Sequence, residues 1–156
     1  MSGIDTHIRP ATADDQKLIR GVVRQARLNP LGINWCSFVI AEDMSKGFLG
    51  CAQIKSHKDG SRELASLYIN PDHRGRGIAA ILIKTLQDQE RSSLWLTCRS
   101  DLAPLYIRFG FMEIVDATVM PLYFRRVWRL FQVFRRWFPH WEGLAVMWWQ
   151  GLEDKE

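Results

Sequence analysis

Glu63-Leu64-Ala65-Ser66-Leu67-Tyr68-Ile69-Asn70-Pro71-Asp72-His73-Arg74-Gly75-Arg76-Gly77-Ile78-Ala79-Ala80-Ile81-Leu82-Ile83 is the stretch around which the rest of this chain is arranged. Its first seven residues read as a strand, and Ile78, Ile81, Leu82 and Leu86 recur at helical spacing up to Glu90. The join is strand, turn, helix. Asn70-Pro71-Asp72 stops the strand, because proline fixes φ and lacks a donor while Asn and Asp favour turns. Gly75 and Gly77, flanked by Arg74 and Arg76, let the backbone approach a ligand closely where the N–H groups of a helix start are unpaired. Free N–H groups, the helix dipole and two guanidinium groups favour an anion such as phosphate. A dinucleotide-binding fingerprint fits poorly, since the acidic partner due at the end of the next strand is missing from Leu94 to Cys98. The Lys-Ser/Thr of a phosphate-binding P-loop is missing too.

The chain has 156 residues, 47% of them apolar, which suits one domain over 1–156 and excludes a disordered class. The net charge of +4 is not gathered into a nucleic-acid-binding module, so no nucleic-acid partner is expected. Cys36, Cys51 and Cys98 lie in or beside apolar runs and read as reduced core residues of a cytoplasmic protein. His7, His57, His73 and His140 share no ligand spacing, and no metal site is expected. Met1 to Asp5 lacks the charge and apolar run of a secretory leader, and no apolar segment reaches the roughly 18 residues of a membrane span.

Taken in order, His7-Ile8-Arg9-Pro10-Ala11 is a short strand, and Thr12 or Asp14 caps a helix with apolar positions Leu18, Ile19, Val22, Val23 and Ala26. Trp35 to Ala41 and Phe48 to Ile54 read as strands joined by the polar turn Glu42 to Gly47. Asp59-Gly60 predicts a type I′ turn into the strand Arg62 to Ile69, completing an antiparallel meander. Ser93 to Cys98 is a buried strand made parallel to Arg62–Ile69 by the helical crossover. Asp101 opens a short helix to Phe109, ended by Gly110. Phe111 to Val115 and Leu144 to Trp149 are the last strands, with a helical insert at about 120–141 between them.

Arg74-Gly75-Arg76-Gly77-Ile78-Ala79 resembles the Arg/Gln-x-x-Gly-x-Gly/Ala pyrophosphate loop of the GNAT superfamily of N-acetyltransferases. Leu105-Tyr106-Ile107-Arg108-Phe109-Gly110-Phe111 is similar to that superfamily's Leu-Tyr-x-x-x-Gly-Phe segment, in the expected order and about thirty residues on. The resemblance implies a mixed α/β fold: a twisted, mostly antiparallel sheet with a central splayed parallel strand pair and helices on both faces. It implies acetyl-CoA as co-substrate, with its pyrophosphate at Arg74, Gly75, Arg76, Gly77, Ile78, Ala79 and Ala80. Backbone N–H groups of Leu67, Tyr68 and Ile69 would polarise the thioester carbonyl. The segment Leu31 to Asn34 is too short for the second helix that the superfamily often places there, and an asparagine common upstream of the tyrosine is replaced by Arg99-Ser100-Asp101.

The implied reaction is direct acetyl transfer to a primary amine of a small molecule or a peptide. A lysine-type amine near pKa 10.4 needs a base, for which Glu63 is the candidate, acting through water as the resemblance implies. Tyr106 matches the tyrosine that protonates the coenzyme sulfur in relatives. A non-catalytic acyl-CoA-binding or interaction module on the same fold is the alternative. The insert contains a helix over 121–138 with Arg125, Arg129, Gln132 and Arg136 along one line and Phe124, Val127, Leu130, Phe131, Phe134, Trp137 and Phe138 opposite. Three settings suit it: packing on the sheet or on a second subunit as a homodimer, peripheral contact with an anionic membrane, or a lid over the acceptor site.

Overall fold

Thr12 starts the first helical segment, its N–H donating to Asp15 Oδ2 at 2.7 Å, and Arg9 closes on the same carboxylate at 2.8 Å. A 3-10 turn over Ala13–Asp15 then leads into α1 (Gln16–Gln25). Ile19, Val22 and Val23 recur on one side of α1 and are buried, while Leu18 and Ala26, expected on that face, are exposed. Leu18 sits about 100° round the helix from Ile19 and so off the buried stripe, and Ala26 caps the helix beyond its last residue, Gln25.

The computed structural model describes residues 4–152, in seven strands and four α-helices. The strands are β1 (His7–Pro10), β2 (Phe38–Asp43), β3 (Gly47–Ser56), β4 (Arg62–Ile69), β5 (Leu94–Arg99), β6 (Met112–Glu113) and β7 (Leu144–Trp149). The remaining helices are α2 (Ile78–Gln89), α3 (Ala103–Ile107) and α4 (Leu122–Trp137). The strand order is β1-β2-β3-β4-β5-β7-β6. It is the expected mixed α/β arrangement, mostly antiparallel, with β4 and β5 as the parallel pair at Glu63 and Trp95. The leader reading rests partly on Met1, Ser2 and Gly3, which lie outside the described residues. No helix among those residues is long and apolar enough to cross a membrane.

The chain divides into two compact units, residues 1–55 with 64–89 and residues 56–63 with 90–156. In the first, Ile19, Val22 and Val23 meet Phe38 and Ile40 of β2, Cys51 of β3 and Tyr68 of β4. Gly50 brings β3 against β4, since a Cβ there would lie 2.4 Å from the Tyr68 carbonyl oxygen. In the second, Trp95, Met120, Phe124 and Val146 form a core, flanked by Tyr123, Trp128 and Trp148.

Several local expectations are corrected. Trp35 to Ser37 is a 3-10 turn rather than strand, because the Asn34 side chain accepts from the Cys36 N–H and holds the backbone curled. Cys36 is therefore exposed rather than in the core. The Asp59-Gly60 turn is not type I′, since only Gly60 has positive φ, at 86°. Gly60 N–H donates to His57 O at 3.0 Å and His57 N–H to Ser61 O at 2.9 Å, a turn followed by a left-handed bulge residue. Ile81 is exposed and Ile83 buried on α2. The strand expected over Phe111 to Val115 shrinks to Met112–Glu113, Phe111 being held by the turn that ends α3, where its N–H donates to Tyr106 O.

Candidate active site

The first unit carries the anion loop. Asn70 N–H donates to Leu49 O at 2.7 Å, and Asn70 Oδ1 accepts from the Asp72 N–H at 3.1 Å, so β4 ends where the sequence stops it. After a 3-10 turn over Pro71–His73, Gly75 and Gly77 take φ of 76° and 80°. A Cβ at either would meet nothing within 4 Å, so backbone conformation rather than crowding calls for glycine, and the space above them is open. Ile81 N–H donates to Gly77 O at 3.1 Å, which leaves the N–H groups of Ile78, Ala79 and Ala80 ahead of the helical ladder. Arg74 and Arg76 are exposed beside them. This open cradle of amides and guanidinium groups fits a pyrophosphate.

Upstream on β4, Ser66 has a φ of 55° inside a strand, a conformation costing a non-glycine residue about 1–3 kcal/mol. Its Oγ accepts from Gln53 Nε2 at 2.8 Å, and Gln53 is fully buried with Oε1 unpartnered. Nothing in the sequence marks Ser66. It re-aims the backbone just before Leu67, Tyr68 and Ile69, and the Tyr68 ring is buried, stacking on Phe48 at 6.1 Å. A separate cleft of about 640 Å³, lined by Arg20, Arg24, Leu28, Pro30, Ile33 and Asn34 among others, includes no residue of the loop.

The second unit carries Glu63 and Tyr106. Glu63 is only 6% exposed, so it is no solvated strand end, and its Oε2 lies 2.7 Å from His57 Nε2. Tyr123 of α4 stacks flat on the His57 ring at 3.7 Å, and Phe124 meets that ring edge-on at 5.8 Å. The Tyr123 N–H donates to Asp59 Oδ2 at 2.9 Å, tying α4 to the turn that presents His57. Burial would raise the Asp59 pKa, but the Ser61 hydroxyl, the amides of Tyr123 and Ser61, and His57 together lower it. Sequence reasoning missed His57. The available signal was the Asp59-Gly60 turn, which returns the chain and so sets His57 beside the start of β4.

Tyr106, on α3, is buried edge-on to Phe111 at 6.0 Å. Burial, with Cys98 nearby, pushes its phenol up to about 12. Burial likewise pushes the Cys98 thiol to about 11, with Glu113 and Asp101 adding to it, so Cys98 stays protonated and inert near neutrality.

The family model for the acetyltransferase (GNAT) domain matches residues 34–113, just over half of the chain, including both the loop and the Tyr106 segment. The chain belongs to the GNAT acetyltransferase family. Comparison with curated proteins found no match. Among solved structures, this GNAT chain is similar to N-acetylglutamate synthase from Neisseria gonorrhoeae, complexed with coenzyme A and N-acetyl-glutamate, at 16% identity and a TM-score of 0.71 over 94% of this chain. The same enzyme with coenzyme A and L-arginine gives 19% identity and a TM-score of 0.72 over 96% of this chain. The chain spans about a third of those synthase chains, 35% and 34%. Rv2747 from Mycobacterium tuberculosis, solved with CoA, gives 20% identity and a TM-score of 0.68, covering 94% of this chain and 99% of that one. At these identities the likeness is one of fold. β1, α1, α4 and β7 lie outside the matched residues of the GNAT model.

Proposed function

We propose that this GNAT chain moves an acetyl group from acetyl-CoA directly to a primary amine of a small molecule or peptide, as a single acetyltransferase domain. The observation that carries this reading is the loop from Arg74 to Ala80, with two left-handed glycines opening an amide cradle at the start of α2. Arg74 and Arg76 with the Ile78, Ala79 and Ala80 amides would hold the pyrophosphate. The N–H groups of Leu67, Tyr68 and Ile69 are offered as donors to the thioester carbonyl. Acetyl-CoA supplies the acyl group: a nitrogen–carbon bond forms as the carbon–sulfur bond breaks.

Glu63 takes the amine proton through water, with His57 holding its carboxylate at 2.7 Å. Tyr106 meets the departing sulfur. With its phenol at about 12 it keeps its proton near neutrality, and full transfer to a thiolate of ordinary pKa about 8.5 would be several kcal/mol uphill. It therefore acts as a hydrogen-bond donor to the sulfur. That same raised phenol favours the second reading, a non-catalytic acyl-CoA-binding module, in which Tyr106 only packs against Phe111.

Mass spectrometry of an amine and peptide panel incubated with labelled acetyl-CoA tests the proposal, and labelled product is the expected result. On the best acceptor, the wild-type rate rises with pH across the neutral range, while Glu63→Gln lowers kcat roughly a hundredfold with coenzyme affinity unchanged. An unaltered pH profile in that variant returns Glu63 to a structural role. Tight acetyl-CoA binding with no product across the panel supports the module instead.

A further inference from the structure

The apolar side of α4 has two fates along its length. At its N-terminal end Phe124 is fully buried and Tyr123 and Trp128 pack on the same core. Toward its C-terminal end most of the apolar residues are outside: Leu130, Val133, Phe134, Trp137 and Phe138 are exposed, Trp137 at 77%, and Phe131 is half-buried. Trp141 joins them from beyond the helix, stacking on Phe138 at 5.3 Å and on Phe134 at 6.5 Å. Single exposed apolar residues are ordinary, but this is a contiguous aromatic surface.

At about 100° per residue, Leu130, Val133, Phe134, Trp137 and Phe138 cover an arc of roughly 140°, and the buried Phe124 and half-buried Trp128 lie beyond its edge. Arg129 and Arg136 fall roughly 40–60° past Val133 on one border, and Arg135 about 60° past Phe138 on the other. Arg125 is not part of this rim, because its guanidinium donates to the carbonyls of Ala117, Thr118 and Met120. Among the described residues, Arg129, Arg135 and Arg136 have no carboxylate within salt-bridge distance. No acidic residue occurs in the sequence between Asp116 and Glu142.

We propose that the C-terminal half of α4 docks on an anionic lipid surface, with Leu130, Val133, Phe134 and Trp137 in the headgroup boundary and the arginines on lipid phosphates. This goes beyond the acetyl-transfer reading and does not rest on it. Charge selects the occupant. In a two-fold dimer the face would meet itself, and since both borders carry arginine, α4 holds no acid and Glu142 beyond Trp141 is paired with Arg99 at 3.1 Å, any pairing sets arginine beside arginine. An anionic bilayer supplies the missing charge, accepts tryptophan and phenylalanine rings at its interface, and lets long arginine stems reach the phosphates. The 16 residues of α4 make a helix of about 24 Å, anchored at one end by Phe124, so the exposed half can lie along a surface without disturbing the core.

Flotation of the full chain tests this, comparing phosphatidylcholine vesicles with vesicles in which a quarter of the lipid is phosphatidylglycerol. The protein should float only with the anionic vesicles and be released by high salt. Phe134→Glu/Trp137→Glu, both outside the core, should keep the circular dichroism of the wild type and lose at least tenfold in bound-to-free ratio. Arg129→Gln/Arg135→Gln/Arg136→Gln should lose roughly a hundredfold, about fivefold for each arginine. Absence of flotation with anionic vesicles at low salt overturns the proposal, and so does equal flotation with the neutral ones. A folded double variant that passes from dimer to monomer on gel filtration makes the face a subunit interface and overturns it too.

Discussion

Replacing Gly77 separates the cost of backbone strain from the cost of charge. Its φ of 80° lies in the left-handed region, where a side chain costs about 1–2 kcal/mol, and a Cβ there would meet nothing within 4 Å, so no clash adds to that. Gly77→Ala should therefore lose about 1–2 kcal/mol of stability and leave the loop folded. Gly77→Glu has the same strain but sets a carboxylate at the start of α2, where the helix dipole returns about 0.3–1 kcal/mol. The glutamate variant should be at least as stable as the alanine variant. Coenzyme affinity should follow the opposite order. A carboxylate about 5 Å from a phosphate at an effective dielectric near 20 is repelled by about 3 kcal/mol, and screening at physiological salt leaves about half of that. Acetyl-CoA affinity in Gly77→Glu should thus fall at least tenfold below Gly77→Ala. Calorimetric titration alongside thermal melts gives both orders. A folded Gly77→Glu that binds acetyl-CoA within twofold of Gly77→Ala would refute the loop as the pyrophosphate site.

Two further outcomes are expected. Phe124→Ala, which empties a fully buried site stacked on Trp95 at 5.6 Å, should cost about 3–5 kcal/mol in denaturant unfolding, whereas Phe134→Ala should stay within about 0.5 kcal/mol. Equal losses would mean that α4 packs along its whole length. The Arg9 guanidinium, working against partial burial, holds Asp15 at about 2, below its ordinary 3.8. A carboxylate lowered on folding contributes stability above its unfolded pKa and loses it as pH falls through the folded value. With solvent screening, the wild type should lose about 1 kcal/mol between pH 5 and pH 2 that Asp15→Asn does not lose, and parallel acid limbs in the two proteins would contradict this.

What the sequence disclosed and what it hid divide along a physical line. β4 and β7 fall within the expected bounds, β4 because Asn70-Pro71 is a strong stop and β7 because Leu144 to Trp149 is an unbroken apolar run. The loop was legible because only glycine takes the left-handed region freely, so Gly75 and Gly77 announce their conformation. Ser66 takes the same region without being glycine, and a strand pattern has no mark for it. Trp35 to Ser37 has strand-like composition, yet one side-chain acceptor at Asn34 outweighs that weak preference. The His57–Glu63 pair depends on the turn between them, and reading Asp59-Gly60 as type I′ gave the wrong geometry for it. Apolar periodicity in α4 identified the helix but could not say how far along it the core continues.

That boundary gives α4 two separate connections. Tyr123, in its first turn, stacks on His57, donates its N–H to Asp59, and so braces the ring that is paired with Glu63. Phe124 locks the same turn into the core, while everything from Leu130 onward contributes little to that core. Truncating the exposed rings should then leave the His57–Glu63 pair intact, because its supports all lie N-terminal to them. Loosening Tyr123 should disturb the pair without touching the aromatic surface. If Tyr123→Ala shifts the pH profile of acetyl transfer and leaves vesicle binding unchanged, while Phe134→Glu/Trp137→Glu does the reverse, the helix carries two independent roles. If either variant moves both readouts together, the exposed half is coupled to the site, and α4 acts as one element.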